Sequence, residues 1–89
     1  MDAEYQYLGV VTHYFDRIGV AVVRLEQALY QGDWIAFFGP HTDFQQQAHS
    51  MEIEHEPVSE VGAGGEVALR VDEPVRRGDK VYVLVESAA

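Results

Sequence analysis

Residues 29–55, LYQGDWIAFFGPHTDFQQQAHSMEIEH, decide the fold. Gly32-Asp33 opens the stretch as a turn, because glycine takes positive φ without steric cost and Asp bonds nearby backbone N–H groups. Trp34-Ile35-Ala36-Phe37-Phe38 is short, aromatic and partly β-branched, which predicts a strand buried on both faces or nearly so. Gly39-Pro40 ends it, since proline has no N–H for a ladder. His41-Thr42-Asp43-Phe44 reads as a polar connection carrying one aromatic. From Gln47 the chain alternates: Gln47, His49, Met51, Ile53 and His55 share one face, and Ala48, Ser50, Glu52 and Glu54 share the other. That period of two predicts a half-buried return strand, closed by Pro57.

Outward from this stretch the chain repeats the device. Leu8–Phe15 and Ile18–Leu25 are two β-rich runs across an Asp16-Arg17 turn, the pattern of an antiparallel hairpin. The second run has scarcely any polar position, as a strand covered on both sides would. Glu26–Tyr30 has room for one helical turn, too short to stand without tertiary support. Glu56–Val61 reads as a connection. Gly62-Ala63-Gly64-Gly65 turns into Glu66–Val71, with Val67, Leu69 and Val71 inward. Asp72-Glu73-Pro74 breaks that strand, and Arg77-Gly78-Asp79 turns into a last one, Lys80–Val85. A glycine, an acid and an alternating strand thus occur three times, at Gly32-Asp33, Gly65-Glu66 and Gly78-Asp79. Six or so short strands with glycine turns predict an all-β fold, a small closed barrel that hides its edges. The 89 residues make a single domain, 1–89, with 1–6 and 86–89 expected to fray.

The composition is that of a globular chain, 47% hydrophobic and 24% charged. Fifteen acids stand against six bases, a net charge of -9. Nucleic-acid affinity comes mostly from Lys and Arg neutralising phosphates, so this balance disfavours general nucleic-acid binding and favours proteins, basic peptides or cations. With no cysteine, disulfides and thiolate metal sites are excluded. The first residues lack the basic and apolar regions of a signal peptide. No apolar run approaches the roughly 20 residues of a membrane span. A cytoplasmic chain with no membrane partner is the expectation.

No catalytic signature emerges. Gly62–Gly65 has the glycines of a phosphate loop, but Glu66 stands where Lys belongs and a strand follows instead of a helix. His49 and His55 are about 20 Å apart along an extended strand and cannot share a metal through it. His41 with Asp43 sets an imidazole near a carboxylate, but zinc needs further ligands, for which His13 is the candidate; a solvent-facing histidine is the simpler reading. Thr42 and Asp43 flank His41, and Ser50 flanks His49, yet neighbours on an extended chain point apart, which argues against a triad. No metal or cofactor is expected. Ten aromatic residues are more than so small a core holds beside its Val, Ile and Leu. Either some form an exposed patch that contacts a protein or a second copy, or Phe15, Trp34 and Phe37 are core and the tyrosines cap the barrel.

Leu29-Tyr30-Gln31-Gly32-Asp33, Ala63-Gly64-Gly65-Glu66-Val67-Ala68-Leu69 and Val75-Arg76-Arg77-Gly78-Asp79-Lys80-Val81 resemble the second domain of translational GTPases, of which elongation factor Tu is the type case. Val11-Thr12-His13-Tyr14-Phe15, Ile18-Gly19-Val20-Ala21-Val22 and Ser50-Met51-Glu52-Ile53-Glu54-His55 resemble more narrowly the small translation elongation factor-like proteins and the C-terminal barrel of collagenase-like peptidases. The family usually carries Gly-His-Thr-Thr-Asp-Phe after the third strand. Here Gly39-Pro40-His41-Thr42-Asp43-Phe44 loses the first His and gains another one place on. The resemblance runs from about Gly9 to Leu84 and implies a closed six-stranded Greek-key barrel of the translation-factor domain 2 type, a docking module without catalysis of its own. The expected function is a non-catalytic binding module that presents His13, Tyr14, Phe15, His41, Thr42, Asp43 and Phe44 to a protein partner. Beside the lesser alternative of a metal-dependent enzyme, two alternatives stay open. One is a ribosome- or transfer-RNA-associated factor, for which only Arg76, Arg77 and Lys80 approach a basic cluster. The other is a detached accessory barrel of a collagenase-like peptidase or RNA-modifying enzyme.

Overall fold

The computed structural model describes residues 2–87. They form an all-β domain of ten strands: β1 (Asp2–Phe15), β2 (Val20–Leu25), β3 (Leu29–Tyr30), β4 (Trp34–Gly39), β5 (Thr42–Gln47), β6 (Glu52–Ile53), β7 (Glu56–Pro57), β8 (Glu60–Val61), β9 (Glu66–Arg70) and β10 (Lys80–Ser87). Eight of them make one antiparallel sheet in the order β5-β4-β10-β1-β2-β9-β6-β7, and β3 pairs with β8. Six strands are five residues or longer and stand side by side from β5 to β9. The expected small all-β domain is found, and a closed six-stranded ladder is not found among the described residues. Among the described residues no backbone ladder joins β5 to β9, and the sheet ends at β5 and β7.

A side chain spans the gap instead. Gln46, on β5, is 3% exposed. Its amide N–H donates to the Arg70 carbonyl at 2.9 Å, and its amide oxygen accepts from the Asp72 N–H at 2.7 Å. One primary amide thus offers the donor and acceptor that a paired strand would offer. Behind this seam sits the core, built from Leu8, Val11, Val23, Leu25, Ile35, Phe37, Val67, Leu69 and Val81 among others. Phe37 stacks on Phe44, ring centroids 5.0 Å apart.

Two turns repeat one design. In Tyr30-Gln31-Gly32-Asp33 and Arg76-Arg77-Gly78-Asp79 the glycine has φ 92°, and the Asp N–H returns to the first carbonyl at 3.0 Å. The carboxylate then accepts from the first N–H, at 3.0 Å for Asp33 and 2.8 Å for Asp79. Positive φ at the third position is the type II signature and selects glycine. The third expected case differs: Gly64, not Gly65, carries the positive φ.

The structure corrects several sequence expectations. The return strand begins at Thr42, five residues before the alternation read from Gln47, and Thr42, Phe44 and Gln46 point inward. Residues 48–51 are irregular, and Ser50 takes φ 54°. Glu54 and His55 lie between β6 and β7 with φ 49° and 67°. Positive φ at both centres of a two-residue hairpin loop is the type I′ geometry, which normally draws Asn-Gly. The strand at Trp34 is buried on one face only, with Ile35 and Phe37 in and Trp34 and Phe38 out. Likewise β2 alternates, so Arg24 is exposed, and Ile18 lies outside it in the turn. No helical turn forms at 26–30; Leu29–Tyr30 is the short strand β3. Residues 2–6 belong to β1, which pairs with β10 from Asp2↔Ser87 onward. Met1, Ala88 and Ala89 lie outside the described residues.

Candidate functional site

The outward face of β5, β4, β10 and β1 carries the exposed aromatic residues. Its geometry follows from register, because directly opposed residues on antiparallel strands point to one side. The first row is Asp43↔Phe38↔Lys80. The second is Gln45↔Ala36↔Tyr82↔Tyr7. In the third, Gln47↔Trp34 on one side stands level with Leu84↔Tyr5 on the other. Phe38 is 56% exposed and Trp34 40%. Tyr7 and Tyr82 meet edge to face at 5.9 Å, and the Trp34 indole N–H donates to Gln45 Oε1 at 3.3 Å. An open groove of about 360 Å³ runs beside Phe38, between it, Pro40, Gly78 and Tyr82.

One irregularity lets β1 serve this face and the core together. A register shift between Tyr7 and Gly9 admits Leu8 as an extra inward residue, fully buried. Gly9 is required there: a Cβ at that position would sit 2.0 Å from the Arg24 carbonyl oxygen. At the end of the face, Asp79 is 3% exposed. Its carboxylate accepts from the Thr42 hydroxyl at 2.5 Å and from the Arg76 N–H, while its own carbonyl accepts from Val11 N–H at 2.8 Å. A Cβ at Gly39 would lie 2.0 Å from Asp79 Oδ1, so the glycine leaves the space this carboxylate fills. One buried acid therefore ties the β4–β5 hairpin, the β10 turn and β1 together.

The residues expected to bind fall into separate places. Thr42 and Phe44 point inward, Thr42 as the partner of Asp79 and Phe44 as the partner of Phe37. They are structural, because a strand runs where a connection was expected. Asp43 is exposed within the aromatic face, and His41 is exposed at the hairpin tip. His13 and Phe15 are exposed beyond a second register shift in β1, ring centroids 4.2 Å apart, and Tyr14 packs against the core. Among the described residues no hydrogen bond or ring contact joins 13–15 directly to 41–44. Among the described residues no hydrogen bond or ion pair joins His41 to Asp43 either, and the one His–carboxylate approach is His49 Nε2 to Asp72 Oδ1, 3.7 Å. Among the described residues no three His, Asp or Glu side chains group as metal ligands do. Of the aromatics, Phe37 is core, while Trp34 and Phe15 are exposed. Tyr5, Tyr7, Trp34, Phe38 and Tyr82 were the missed members of the face. The signal was available: in an alternating strand Trp34 and Phe38 share parity, opposite to Ile35 and Phe37.

The fold and its outer face define a small all-β domain with an uncovered aromatic sheet surface. Among known proteins, the chain is 32% identical over 81 residues to an uncharacterised protease of Methanocaldococcus jannaschii, covering 90% of this chain and 20% of that one. It is 35% identical over 78 residues to a collagenase of Porphyromonas gingivalis, covering 85% and 22%. The chain therefore spans about a fifth of the length of these relatives. No protein-family model matches it. In structure it resembles the C-terminal domain of a Geobacillus thermoleovorans protein described as a U32 peptidase, with a TM-score of 0.82 at 22% identity over 88% of this chain and 91% of that one. The selenomethionine form of that domain gives 0.81 at 23%, over 85% and 96%. These likenesses fall on the collagenase-like side of the resemblance read from sequence and carry nothing for the elongation-factor side.

Proposed function

We propose that this chain is a non-catalytic interaction domain of the accessory kind found at the C-terminus of collagenase-like peptidases, working by covering its aromatic sheet face with protein. The observation that carries the reading is the face itself. Four exposed aromatic side chains, Tyr5, Tyr7, Trp34 and Phe38, and the half-buried Tyr82 share one side of four adjacent strands, and aromatic enrichment with little charge is the mark of an interface centre. The likeness to about a fifth of a protease and of a collagenase points the same way, since an accessory domain can sit beside a catalytic one without sharing its chemistry. The closed six-stranded Greek-key barrel belongs to this proposal too: Gln46 supplies the closing contacts between β5 and the end of β9 that a ladder would otherwise make.

The test is binding to a collagenase-like peptidase chain of the same source that lacks its own C-terminal domain. Trp34 lies in the face and is the sole tryptophan, so its emission reports contact. The expected result is saturable binding with a blue shift, weakened by Phe38→Ser, and no peptide hydrolysis by the domain alone. Binding indifferent to Phe38→Ser and silent at Trp34, or hydrolysis by the isolated domain, would overturn the reading.

A further inference from the structure

The aromatic face is self-complementary, and we infer that it pairs with a second copy of this chain when no other protein covers it. The inference rests on the interaction-domain reading and names a partner for that face. Asp43 and Lys80 stand one strand to either side of Phe38 at the same register. With strands about 4.8 Å apart, the acid and the base flank the ring symmetrically. A two-fold axis running along β4, between two such faces, sets Phe38 on its copy and each Asp43 opposite the copy's Lys80. That is the condition for an isologous contact: residue i meets j, and j meets i.

The charge distribution supports a copy as the occupant. The chain carries 15 acids and 6 bases, and random contact between two copies would be repulsive. The three rows of the face nevertheless hold one acid and one base, Asp43 and Lys80. Glu52, Glu54, Glu66 and Asp72 belong to the β6–β9 side of the sheet or its flank. Glu86, opposite Ala3 one row beyond Leu84↔Tyr5, lies at the edge of the face, and the rest of the acidic surplus lies off the three rows. Size sets the strength. With the axis along β4 the two faces overlap over β5, β4 and β10, and three strands by five residues give a footprint of about 14 by 17 Å. A standard interface covers about 800 Å² on each partner, a seventh of the 5677 Å² surface here. The face falls short of that, so the dimer belongs among weak, reversible ones.

Sedimentation equilibrium on the whole chain tests this. The expected result is a weak, reversible monomer–dimer equilibrium, as for interfaces below about 1,200 Å² in total. Asp43→Lys and Lys80→Glu, each alone, set like charges against each other across the axis and weaken association about tenfold or more. The two together restore it to within about threefold of the parent, since the pair is merely exchanged. Both positions are exposed, and unchanged thermal unfolding of each variant confirms that the fold is intact. A monomer at the highest concentration reached, or a dimer indifferent to the single reversals, overturns the inference. A chain that stays monomeric yet binds the peptidase through Phe38 removes self-pairing and leaves the proposed function. Loss of both removes the two together.

Discussion

Replacing Gln46 with Leu keeps the volume and removes the amide that spans β5 and the end of β9. The Arg70 carbonyl and the Asp72 N–H then lose their partners, and the Gln47 carbonyl loses a longer hydrogen bond at 3.2 Å. An unsatisfied buried polar group costs about 1–3 kcal/mol. Asp72 is exposed, so water reaches its N–H after a small shift and its share falls at the low end. The sum is about 2–4 kcal/mol. For a domain of this size that is a large part of a stability of roughly 4–13 kcal/mol, and it lowers Tm by about 8–30 °C. Urea unfolding followed by circular dichroism and Trp34 emission measures it, with an unchanged m-value as the sign that only stability moved. The control is Gln45→Leu, one residue away but facing solvent; it gives up only the exposed hydrogen bond from the Trp34 indole N–H, is expected within about 1 kcal/mol of the parent, and is read by circular dichroism. Gln46→Glu discriminates further: the carboxylate still accepts from Asp72 but sets negative oxygen against the Arg70 carbonyl, so it destabilises at least as much as Leu. If Gln46→Leu costs under about 1 kcal/mol while the fold is retained, the amide does not hold the seam.

Three more substitutions probe the elements that shape the face. Asp79→Ala strands the Thr42 hydroxyl and the Arg76 N–H and is expected to cost about 2–4 kcal/mol in denaturant unfolding; a loss under about 1 kcal/mol would show that water replaces the carboxylate freely. Gly9→Ala drives a methyl into the Arg24 carbonyl and forces β1 from β2, at about 2 kcal/mol or more; native-like stability would mean that the bulge relaxes. His55→Gly relieves a left-handed conformation at φ 67° and raises stability by up to about 1 kcal/mol. Destabilisation there would show that the imidazole makes a contact worth more than the strain.

The parts of the fold that backbone chemistry alone dictates were legible. Gly32-Asp33 and Gly78-Asp79 announce their turns because only glycine is easy at φ near 90° and Asp bonds the N–H three residues back. The alternation of Glu66–Val71 placed Val67 and Leu69 inward, as they are. The β4–β5 hairpin was misread for a reason that can be stated. Thr42 and Gln46 look like surface residues, and both are buried because each completes a hydrogen bond with a distant segment, Asp79 for one and Arg70 with Asp72 for the other. Such partners are set by topology and have no local signature. Glu54-His55 hides its turn in the same way, since neither residue favours positive φ and only the pairing of β6 with β7 imposes it. The face was half legible: a surplus of aromatics pointed to an exposed patch, but the register of β1, β4 and β10 chose its members, and it left out His13, Phe15 and His41.

The pairing of Asp2 with Ser87 gives the domain a mechanical polarity. Both ends of the described chain leave from the same point of one antiparallel ladder, so tension between them runs across the strands and parts the β1–β10 bonds in succession. Tension between Asp2 and the β4–β5 hairpin loads the sheet along its strands and strains many bonds at once. Single-molecule pulling in the two geometries should therefore give a low rupture force in the first and a clearly higher one in the second. A domain tethered by its two ends would yield early to a pull, peeling open from the tyrosine-bearing strand, β1, while the Phe37–Phe44 side of the core holds longest.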